Sequence, residues 1–413
     1  MADGLLSVVV LGAGHGGFQL AASLRQHGFD GRVFLVSDEP GLPYQRPPLS
    51  KEYLDGKIAL DLLLMRPAEF YRDHRIELIA GDRAEAVDPT AQRVRLASGA
   101  ALSYDHLVFA TGARNRVPTL PGIDHDGVCY LRSLAETDDL RERLTAAQDI
   151  VVIGAGFIGL EFAAIARAHG KNVEVLEIAD RVMARVLSET GSAFFAERHA
   201  AAGVRFRFRA QAAAILSERG RISAVELADG GRVKADLVIV SIGVVPNVEL
   251  ADHAGLAIDN GILVNELLQT ADPAISAIGD CASFPCVHSR RNPSRLESVQ
   301  NATDHARCVA ARLTGKPQPY ASLPWFWSEQ GPLRLQIAGL AAGHNRTVLR
   351  GTVESGEFSV FCYAGEHLIG IESINRPTDH AFGRRLLAAG RTVTPTQAAD
   401  PGFDLRAAAN ARG

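Results

Sequence analysis

Cysteine is scarce in this sequence of 413 residues, and its five cysteines are scattered. They are Cys129, Cys281, Cys286, Cys308 and Cys362. No two of them form a Cys-x-x-Cys pair, and no matching histidine pair lies at zinc-ligand spacing, so we expect neither a disulfide framework nor a metal site. This cysteine usage is typical of a reducing compartment, and it predicts a cytoplasmic location.

Long apolar runs and an excess of one charge are also missing. No apolar stretch reaches the length of about 18 residues that a transmembrane helix needs. The first residues, 1–4, carry no basic segment, so we expect no signal peptide. The formal net charge of −4 leaves no basic footprint for nucleic acid. We therefore expect neither nucleic acid nor a membrane as a partner.

A glycine-rich segment near the N-terminus predicts a dinucleotide-binding fold. An apolar strand over 8–11 precedes three glycines with the spacing G-x-G-x-x-G: Gly12, Gly14 and Gly17. The first permits a tight turn, the second lets a pyrophosphate approach the backbone, and the third lets the following helix pack closely. A second strand over 32–36 ends before Asp38 and Glu39, where a carboxylate that binds ribose is expected.

The same arrangement recurs in the middle of the chain. A strand over 150–153 leads into a second set of glycines, an Ala-rich helix over 160–168 and a strand over 173–176 that ends at Glu177. The glycines of this second set are Gly154, Gly156 and Gly159. A carboxylate at this strand end binds free ribose hydroxyls and repels a 2′-phosphate, so Glu177 favours NADH, although the nearby Arg181 leaves NADPH open.

The intervening segments predict further pieces of these folds. Three strands are expected around 76–79, 93–96 and 107–110, a buried strand over 237–243, a hairpin over 260–264 and a strand over 274–280. The last of these ends in Asp280, which we interpret as an acceptor for a cofactor hydroxyl, with a turn aspartate as the alternative. A helix is expected over 299–313, ended by Gly315.

A proline-rich loop over 43–51 follows the first dinucleotide unit. Its prolines predict a rigid, non-helical entry, and Ser50 is expected to cap a short helix over 51–54. Arg46 and Lys51 in this loop are candidates for contacts with a cofactor; the alternative is that they are solvated surface charges.

The composition shifts at residue 321 towards short alternating strands. Both tryptophans of the chain, Trp325 and Trp327, stand at the start of this region. Strands around 333–337, 346–349, 358–361 and 368–371 and a helix over 378–389 predict a separate antiparallel α+β domain. The Ala/Arg-rich end after Pro395 is expected to be partly frayed.

Four segments together resemble one family. They are Arg46-Pro47-Pro48-Leu49-Ser50-Lys51, Gly154-Ala155-Gly156-Phe157-Ile158-Gly159-Leu160-Glu161, Gly279-Asp280-Cys281 and Trp325-Phe326-Trp327-Ser328. Their order over about residues 5–385 is similar to that of NADH-dependent ferredoxin reductases of the putidaredoxin-reductase and palustrisredoxin-reductase type. The resemblance implies an α/β protein with two Rossmann-like dinucleotide-binding domains, as in glutathione reductase, and a C-terminal α+β domain.

The resemblance also implies the domain boundaries and the cofactors. We expect an FAD-binding domain in two parts, 1–112 and 244–320, an NADH-binding domain at 113–243, and the C-terminal domain at 321–413. Positions that match the FAD environment of the family are Gly12, Gly14, Gly16, Gly17, Asp38, Arg46, Lys51, Ala84, Arg132, Asp280, Val299 and Trp327. Positions that match the NADH path are Gly154, Gly156, Phe157, Ile158, Gly159, Glu177 and Gly243. Lys51 and Glu161 match a pair that lies near the flavin ring and the nicotinamide, and they are the expected catalytic residues.

The absence of cysteine from one loop indicates how electrons leave. Disulfide reductases of this superfamily carry a cysteine pair just after the first dinucleotide unit, but residues 40–56 contain no cysteine. Electrons that reach the flavin must therefore leave from it directly, and the resemblance implies that a [2Fe–2S] ferredoxin takes them one at a time. Such a ferredoxin would serve a cytochrome P450 or a ring-hydroxylating oxygenase.

The ferredoxins of such systems are acidic, so the docking face should be basic. We expect it near Arg307 and Trp327. The candidate basic residues are Arg290, Arg291, Arg295, Arg307, Arg312 and Lys316. The alternative for them is an ordinary solvated helix face, except for Arg307, which the resemblance favours for docking. The expected assembly is a monomer or a weak dimer.

Three alternative functions stay open from the sequence. Rapid oxygen consumption without an iron–sulfur partner would indicate an NADH oxidase, and a rubredoxin reductase would pass its electrons to rubredoxin. A flavoprotein of the apoptosis-inducing-factor type would turn over slowly and keep a long-lived complex of reduced flavin with NAD.

Overall fold

The computed structural model of the protein describes residues 6–410. The expectation that there is no signal peptide depends on residues 1–4, which lie outside the described residues. The helices are α1 His15–Gln26, α2 Leu60–Leu63, α3 Ala68–Asp73, α4 Leu134–Ala146, α5 Phe157–Ala168, α6 Glu189–Ala201, α7 Glu249–His253, α8 Val299–Leu313, α9 Pro377–Ala388, α10 Pro395–Ala399 and α11 Leu405–Asn410. Short 3₁₀ helices lie at Pro47–Ser50 and Gly279–Cys281.

The strands lie partly between these helices and partly in consecutive runs without a helix. They are β1 Ser7–Leu11, β2 Arg32–Ser37, β3 Ile76–Ala80, β4 Ala84–Asp88, β5 Arg93–Leu96, β6 Ala101–Ser103, β7 His106–Phe109, β8 Ala113–Asn115, β9 Val128–Cys129, β10 Asp149–Ile153, β11 Asn172–Glu177, β12 Val204–Phe208, β13 Ala212–Glu218, β14 Arg221–Leu227, β15 Arg232–Lys234, β16 Leu237–Val240, β17 Val244–Pro246, β18 Ile262–Leu263, β19 Ile275–Ala277, β20 Ala282–Ser283, β21 Trp325–Gln330, β22 Leu333–Gly339, β23 Arg346–Thr352, β24 Glu357–Ala364 and β25 His367–Ile374.

The first of two compact units contains residues 6–45, Leu60–Arg114 and Val245–Pro324. Its main sheet is five-stranded and parallel, with the order β19-β7-β1-β2-β3. The apolar run in β1 is fully buried because helices cover both faces of such a sheet. A three-stranded antiparallel sheet, β4-β5-β6, lies between β3 and β7 in sequence.

The second unit contains Arg46–Ala59, Asn115–Val244 and, from Trp325 onwards, the rest of the described chain. Its parallel sheet has the order β12-β11-β10-β16-β9, and a three-stranded antiparallel sheet, β13-β14-β15, follows β12 in sequence. In the two units the strand after the glycine helix has the same register, since Leu11 pairs with Val36 and Ile153 with Leu176. Ser37 therefore occupies the position that Glu177 occupies in the second unit.

The C-terminal region forms a five-stranded antiparallel sheet with the order β21-β22-β25-β24-β23. Some of its buried side chains, among them Leu335, Phe358 and Val360, belong to the same hydrophobic core as those of the second dinucleotide fold. Phe358 packs edge-on against Phe194 with ring centroids 5.0 Å apart, and Phe326 lies 4.4 Å from Phe157. Part of the C-terminal sheet thus shares a core with the second fold, while the three domain boundaries expected from the sequence stay a prediction.

Three local predictions are wrong, wholly or in part. The helix predicted over 51–54 is replaced by the 3₁₀ helix at Pro47–Ser50, because the two prolines preset the backbone one turn earlier. The predicted hairpin over 260–264 has one antiparallel bridge, Ile258 to Ile262, and β18 pairs in parallel with β20 instead.

The third concerns the end of the chain, where α10 and α11 replace the expected frayed segment. Thr394 and Gln397 form a capping box at the start of α10. The buried Arg350 guanidinium donates to the backbone carbonyls of Asp400, Pro401 and Phe403, which ties this segment down. Within residues 6–410 the helices are too short or too polar for any of them to cross a membrane.

Candidate functional site

The first glycine turn lies at the carboxyl end of β1 and opens α1. Gly12 has φ +110°, and a Cβ there would overlap the carbonyl oxygen of Ala110. A Cβ at Gly17 would overlap the carbonyl oxygen of Gly12, so helix and turn approach too closely for any side chain. Around Gly14, by contrast, no atom of residues 6–410 outside the adjoining backbone lies within 4 Å of where a Cβ would be. Two glycines are therefore needed for packing, and one leaves open space beside the helix end.

The second glycine turn repeats this geometry between β10 and α5. Gly154 has φ +104°, and a Cβ there would overlap the carbonyl oxygen of Ser241. A Cβ at Gly159 would overlap the carbonyl oxygen of Gly154, while Gly156 again faces open space. In both turns the first and third glycines are needed for close packing, and the second faces open space.

Both helices that follow these turns lack a side-chain cap. The N-cap residues of α1 and α5 are Gly14 and Gly156, which have no side chain to accept from the first-turn N–H groups. Serine side chains cap α4, α6 and α8 instead: Ser133, Ser188 and Ser298. An uncapped helix N-terminus beside open space binds a diphosphate, through its N–H groups and its partial positive charge. The residues present in each turn therefore fit a dinucleotide.

The carboxylates after β2 and β11 differ in their partners. One oxygen of Glu177 accepts from the Ala155 N–H at 2.7 Å, and the other accepts from the Ala179 N–H at 2.8 Å. This holds the acid above the second glycine turn. After β2, Glu39 accepts from the Tyr44 hydroxyl at 2.5 Å, while Asp38 is exposed. Of the two acids considered for the first fold, Asp38 is the one whose side chain lies in solvent.

Asp280 lies in the 3₁₀ turn after β19, and a buried histidine supports that turn. The Gly279 N–H donates to His305 Nδ1 at 3.1 Å. The imidazole is fully buried, with edge-to-face contacts to Phe284 and Tyr320. Burial lowers the pKa of His305 to about 3, so the ring is neutral and can accept this bond. Sequence reasoning missed His305, whose only signal was a lone histidine on the apolar face of a helix.

The remaining candidates of the first unit lie at element boundaries. Ala84 is the first residue of β4 and is buried, and Val299 is the first residue of α8. Gly16 lies in the first turn of α1, where a Cβ would be 3.4 Å from Ile278.

In the second unit, Lys51 and Glu161 form an ion pair. The Lys51 ammonium lies 2.7 Å from Glu161 Oε2, and the two side chains are 12% and 2% exposed. Lys51 comes from the proline-rich loop and Glu161 from the second turn of α5, so the helix that carries the second glycine turn also carries the acid. A buried carboxylate with one cationic partner needs further donors for its other lone pairs.

Two serines supply those donors. The Ser50 hydroxyl donates to Glu161 Oε2 at 2.5 Å, and the Ser328 hydroxyl donates to Glu161 Oε1 at 2.7 Å. Ser50 was expected to cap a helix; its hydroxyl is instead used by Glu161. Ser328 lies in β21, and sequence reasoning gave it no role although it ends the Trp-Phe-Trp-Ser segment. These two serines are the residues of the pair's surroundings that the sequence did not reveal.

The other candidates of the second unit lie around this pair and the second glycine turn. Arg46 donates to the Arg132 carbonyl at 2.7 Å, which joins two residues assigned to one cofactor. Trp327 is in β21 with its ring centroid 5.7 Å from that of Trp325. Gly243 has φ +100° at the end of β16. Phe157 packs against Phe326, whereas the Ile158 side chain is 38% exposed.

The six basic residues considered for docking do not form one exposed set. Arg295 is 9% exposed and pairs with Glu297, and Arg312 turns towards Ser276, 2.5 Å from its hydroxyl. The prediction that these two arginines are surface charges is wrong, because both guanidinium groups have partners inside the first unit. Arg307 is 59% exposed and pairs with Asp304 at 2.8 Å. Arg290, Arg291 and Lys316 are exposed.

The five cysteines offer no redox pair. All are free thiols, four of them buried and Cys308 partly buried. Burial raises the pKa of every one of these thiols, that of Cys129 to about 12. Thiolate is the reactive form, so none of them is set up as a nucleophile or a redox partner.

The comparisons with known proteins agree with this geometry. Residues 6–306 match the family model described as pyridine nucleotide-disulphide oxidoreductase, and residues 325–409 match the model described as reductase C-terminal. The chain is 50% identical over 403 residues to the rhodocoxin reductase of Rhodococcus erythropolis, covering 98% of this chain and 94% of that one.

Two solved structures are similar over nearly the whole chain. The ferredoxin reductase for the CYP199A2 system from Rhodopseudomonas palustris is 53% identical with a TM-score of 0.96, covering 98% of this chain and 99% of that one. The reductase of the covalent putidaredoxin reductase–putidaredoxin complex is 38% identical with a TM-score of 0.94, and 97% of each chain is covered. The predicted fold class and the predicted resemblance to ferredoxin reductases are confirmed.

Proposed function

The chain belongs to the pyridine nucleotide-disulphide oxidoreductase family, and from this premise we propose that it passes electrons from NADH, through bound FAD, to a [2Fe–2S] ferredoxin. One observation carries the proposal: the chain has two open glycine turns for dinucleotides but five unpaired thiols with raised pKa values. A disulfide substrate is reduced through a reactive thiolate, and burial raises the pKa of all five thiols, so we propose an acceptor that takes electrons without thiol exchange. The relatives named above are reductases of small electron carriers, which fits such an acceptor.

FAD accepts two electrons as hydride and releases them singly, and this chemistry belongs to the cofactor. The first glycine turn would hold its diphosphate, with Gly14 providing the open space and Asp38 the carboxylate for the ribose. The His305-supported turn would present Asp280 to a cofactor hydroxyl. Further residues assigned to this cofactor are Gly12, Gly16, Gly17, Arg46, Lys51, Ala84, Arg132, Val299 and Trp327.

NADH would bind at the second glycine turn. Glu177 is held by two backbone N–H groups, which leaves lone pairs on its oxygens for the ribose hydroxyls. A fixed carboxylate at this position repels a 2′-phosphate, so we propose a preference for NADH over NADPH. The other residues assigned to this path are Gly154, Gly156, Phe157, Ile158, Gly159 and Gly243.

Lys51 and Glu161 are the proposed catalytic pair. Hydride acceptance builds up negative charge, and a positioned ammonium stabilises such charge best where water is excluded. Glu161 fixes the ammonium through the 2.7 Å ion pair, and both side chains are largely shielded from solvent. No residue needs to act as nucleophile or general base, because hydride transfer leaves no proton to abstract.

The ferredoxin would dock on a basic face near Arg307 and Trp327. The exposed members of the basic set are Arg290, Arg291, Arg307 and Lys316. An acidic partner is steered to such a face by long-range attraction.

We also propose a cytoplasmic location, which the cysteine usage supports. The expected monomer or weak dimer stays a prediction that size-exclusion chromatography would test.

The deciding experiment mixes the purified holoprotein with NADH or NADPH and one acceptor at a time. The acceptors are putidaredoxin as a [2Fe–2S] ferredoxin, a rubredoxin, and dioxygen. We expect NADH to drive reduction of the ferredoxin at a rate well above oxygen consumption. Preferential rubredoxin reduction, dominant oxygen consumption, or slow turnover with a persistent complex of reduced flavin and NAD would each contradict the proposal and favour the corresponding alternative.

A further inference from the structure

Behind the Lys51–Glu161 pair, a chain of three buried polar side chains runs through the second unit. The Ser328 hydroxyl donates to Glu161 Oε1 at 2.7 Å. The Gln330 amide nitrogen donates to the Ser328 oxygen at 3.2 Å, and the Gln330 amide oxygen lies 2.8 Å from His199 Nε2. All three side chains are buried, so each of these hydrogen bonds would be costly to lose.

These hydrogen-bonded side chains join three elements that are distant in sequence. Glu161 is in α5, His199 is in α6, and the two residues between them are in β21. Ser328 and Gln330 are two positions apart on this strand, so their side chains leave the same face of the sheet. β21 therefore links Glu161 in α5 to His199 in α6.

The hydrogen bonds along this chain run in one direction only. Lys51 and Ser50 donate to one oxygen of Glu161, so the acid is an acceptor and the Ser328 proton must point at its other oxygen. The Ser328 oxygen then accepts from the Gln330 amide. The amide oxygen in turn needs a donor, and His199 Nε2–H supplies it.

His199 can supply the last donor of this hydrogen-bond series. Burial lowers the pKa of His199, while its bond to Gln330 acts in the opposite direction. A neutral ring carries one N–H, and the direction of the chain requires that proton on Nε2. Reversing the chain would need a proton on Nδ1 of His199, a flipped Gln330 amide and a protonated Glu161.

We propose that Ser328, Gln330 and His199 are positioning residues whose one-way hydrogen bonds hold the Glu161 carboxylate, and through it the Lys51 ammonium, in a single orientation. The arrangement stands on the geometry alone. Its consequence for the rate of hydride transfer rests on the proposed function.

The first test reads the histidine directly and needs no turnover. The ring ¹⁵N signals of His199 are assigned in histidine-labelled holoprotein by their loss in His199→Gln. We expect the Nε2–H tautomer in the wild type. In Glu161→Gln, Lys51 can only donate, so the new amide turns its oxygen to Lys51 and its NH₂ to Ser328. The chain then reverses, and His199 should shift towards the Nδ1–H tautomer.

A second variant shows whether Ser328 carries this effect. Adding Ser328→Ala to Glu161→Gln breaks the chain, so the tautomer shift should disappear. If the wild type has Nδ1–H or a charged ring, or if His199 does not respond to Glu161→Gln, the proposed chain is wrong.

The second test measures flavin reduction by NADH in stopped flow. Ser328→Ala should lower the rate constant roughly tenfold, since small displacements of a positioned group cost one to two orders of magnitude. Ser328→Thr retains the hydroxyl and should recover most of the rate. Ser373→Ala is the matched control, because it removes a buried hydroxyl from the same sheet whose partner is Ser359.

The two tests separate the inference from the proposed function. If Ser328→Ala keeps the wild-type rate while binding FAD normally, the positioning role is refuted. If the wild type itself is not reduced by NADH, the proposed function fails, and the tautomer measurement still decides whether the one-way chain exists.

Discussion

Lys51 and Glu161 are separated by 110 residues in the sequence, yet their charged groups lie 2.7 Å apart. The pair joins the proline-rich loop to the helix of the second glycine turn. Because the ammonium is held by a buried acid, its removal should act on the chemical step. Lys51→Met should slow flavin reduction by NADH well beyond tenfold, as measured by stopped-flow absorbance.

The control for this substitution is Lys57→Met. Lys57 lies six positions downstream, is 71% exposed and pairs with Asp55 on the surface, so its loss should leave flavin reduction within about twofold of the wild type. Reduction of the Lys51→Met protein at the wild-type rate would remove Lys51 from the mechanism.

The choice between NADH and NADPH should depend on the charge of Glu177. Glu177→Gln retains an acceptor for the Ala155 N–H but removes the negative charge. We expect the ratio of kcat/KM for NADH over NADPH to fall by roughly tenfold or more, since a hydrogen bond to a charged group contributes about 1.5–3 kcal/mol. Glu218→Gln, an exposed change on β13, should leave the ratio unchanged. An unaltered ratio in Glu177→Gln would assign cofactor choice to another residue such as Arg181.

Docking of an acidic ferredoxin should weaken as salt rises. Arg307 is 59% exposed and pairs with the partly buried Asp304, so its interaction with a docking partner is screened by salt. Raising salt from about 50 to about 500 mM should lower turnover with ferredoxin, and Arg307→Gln should raise the KM for ferredoxin roughly three- to tenfold. Arg93→Gln, on the surface of β5, serves as the control. Turnover that does not change over this salt range would contradict the basic docking face.

The sequence predicted those features that depend on short-range rules. The glycines at 12 and 154 could be placed because a tight turn with positive φ after a buried strand leaves few other residues possible. Glu177 could be placed by its distance from the glycines. Ser328 and His305 could not, because their partners, Glu161 and Gly279, are brought to them by packing of distant segments.

Arg312, in contrast to Ser328 and His305, was given a role that the structure contradicts. The many arginines near it in sequence suggested a charged surface. On the helix, however, its side chain lies on the side of α8 that faces Ser276 and His106. A charged residue near others in sequence can therefore be on a different face of the helix. Only the three-dimensional partners distinguish a docking charge from a structural one.

The stability of the protein should fall as the medium is acidified below about pH 6.5. Burial lowers the pKa of both His305 and His106 to about 3, and for His106 the nearby Arg312 charge acts in the same direction. The ordinary histidine pKa is about 6.5, so between these values the unfolded chain binds more protons than the folded one. The stabilisation from the neutral rings is complete above about pH 6.5 and is lost as the pH falls towards 3. Each histidine should contribute a slope of about 1.4 kcal/mol per pH unit.

His305→Gln isolates one of these contributions. Glutamine keeps an acceptor for the Gly279 N–H but does not titrate, so the slope of the unfolding free energy between pH 6 and pH 5 should decrease by about 1.4 kcal/mol per pH unit. Denaturant unfolding of the holoprotein at pH 7, 6 and 5 measures this slope, and His367→Gln, at an exposed position, is the control. Equal slopes for the wild type and His305→Gln would mean that the ring beside the Asp280 turn is not held neutral. In that case the turn would need another explanation for how its Gly279 N–H is satisfied.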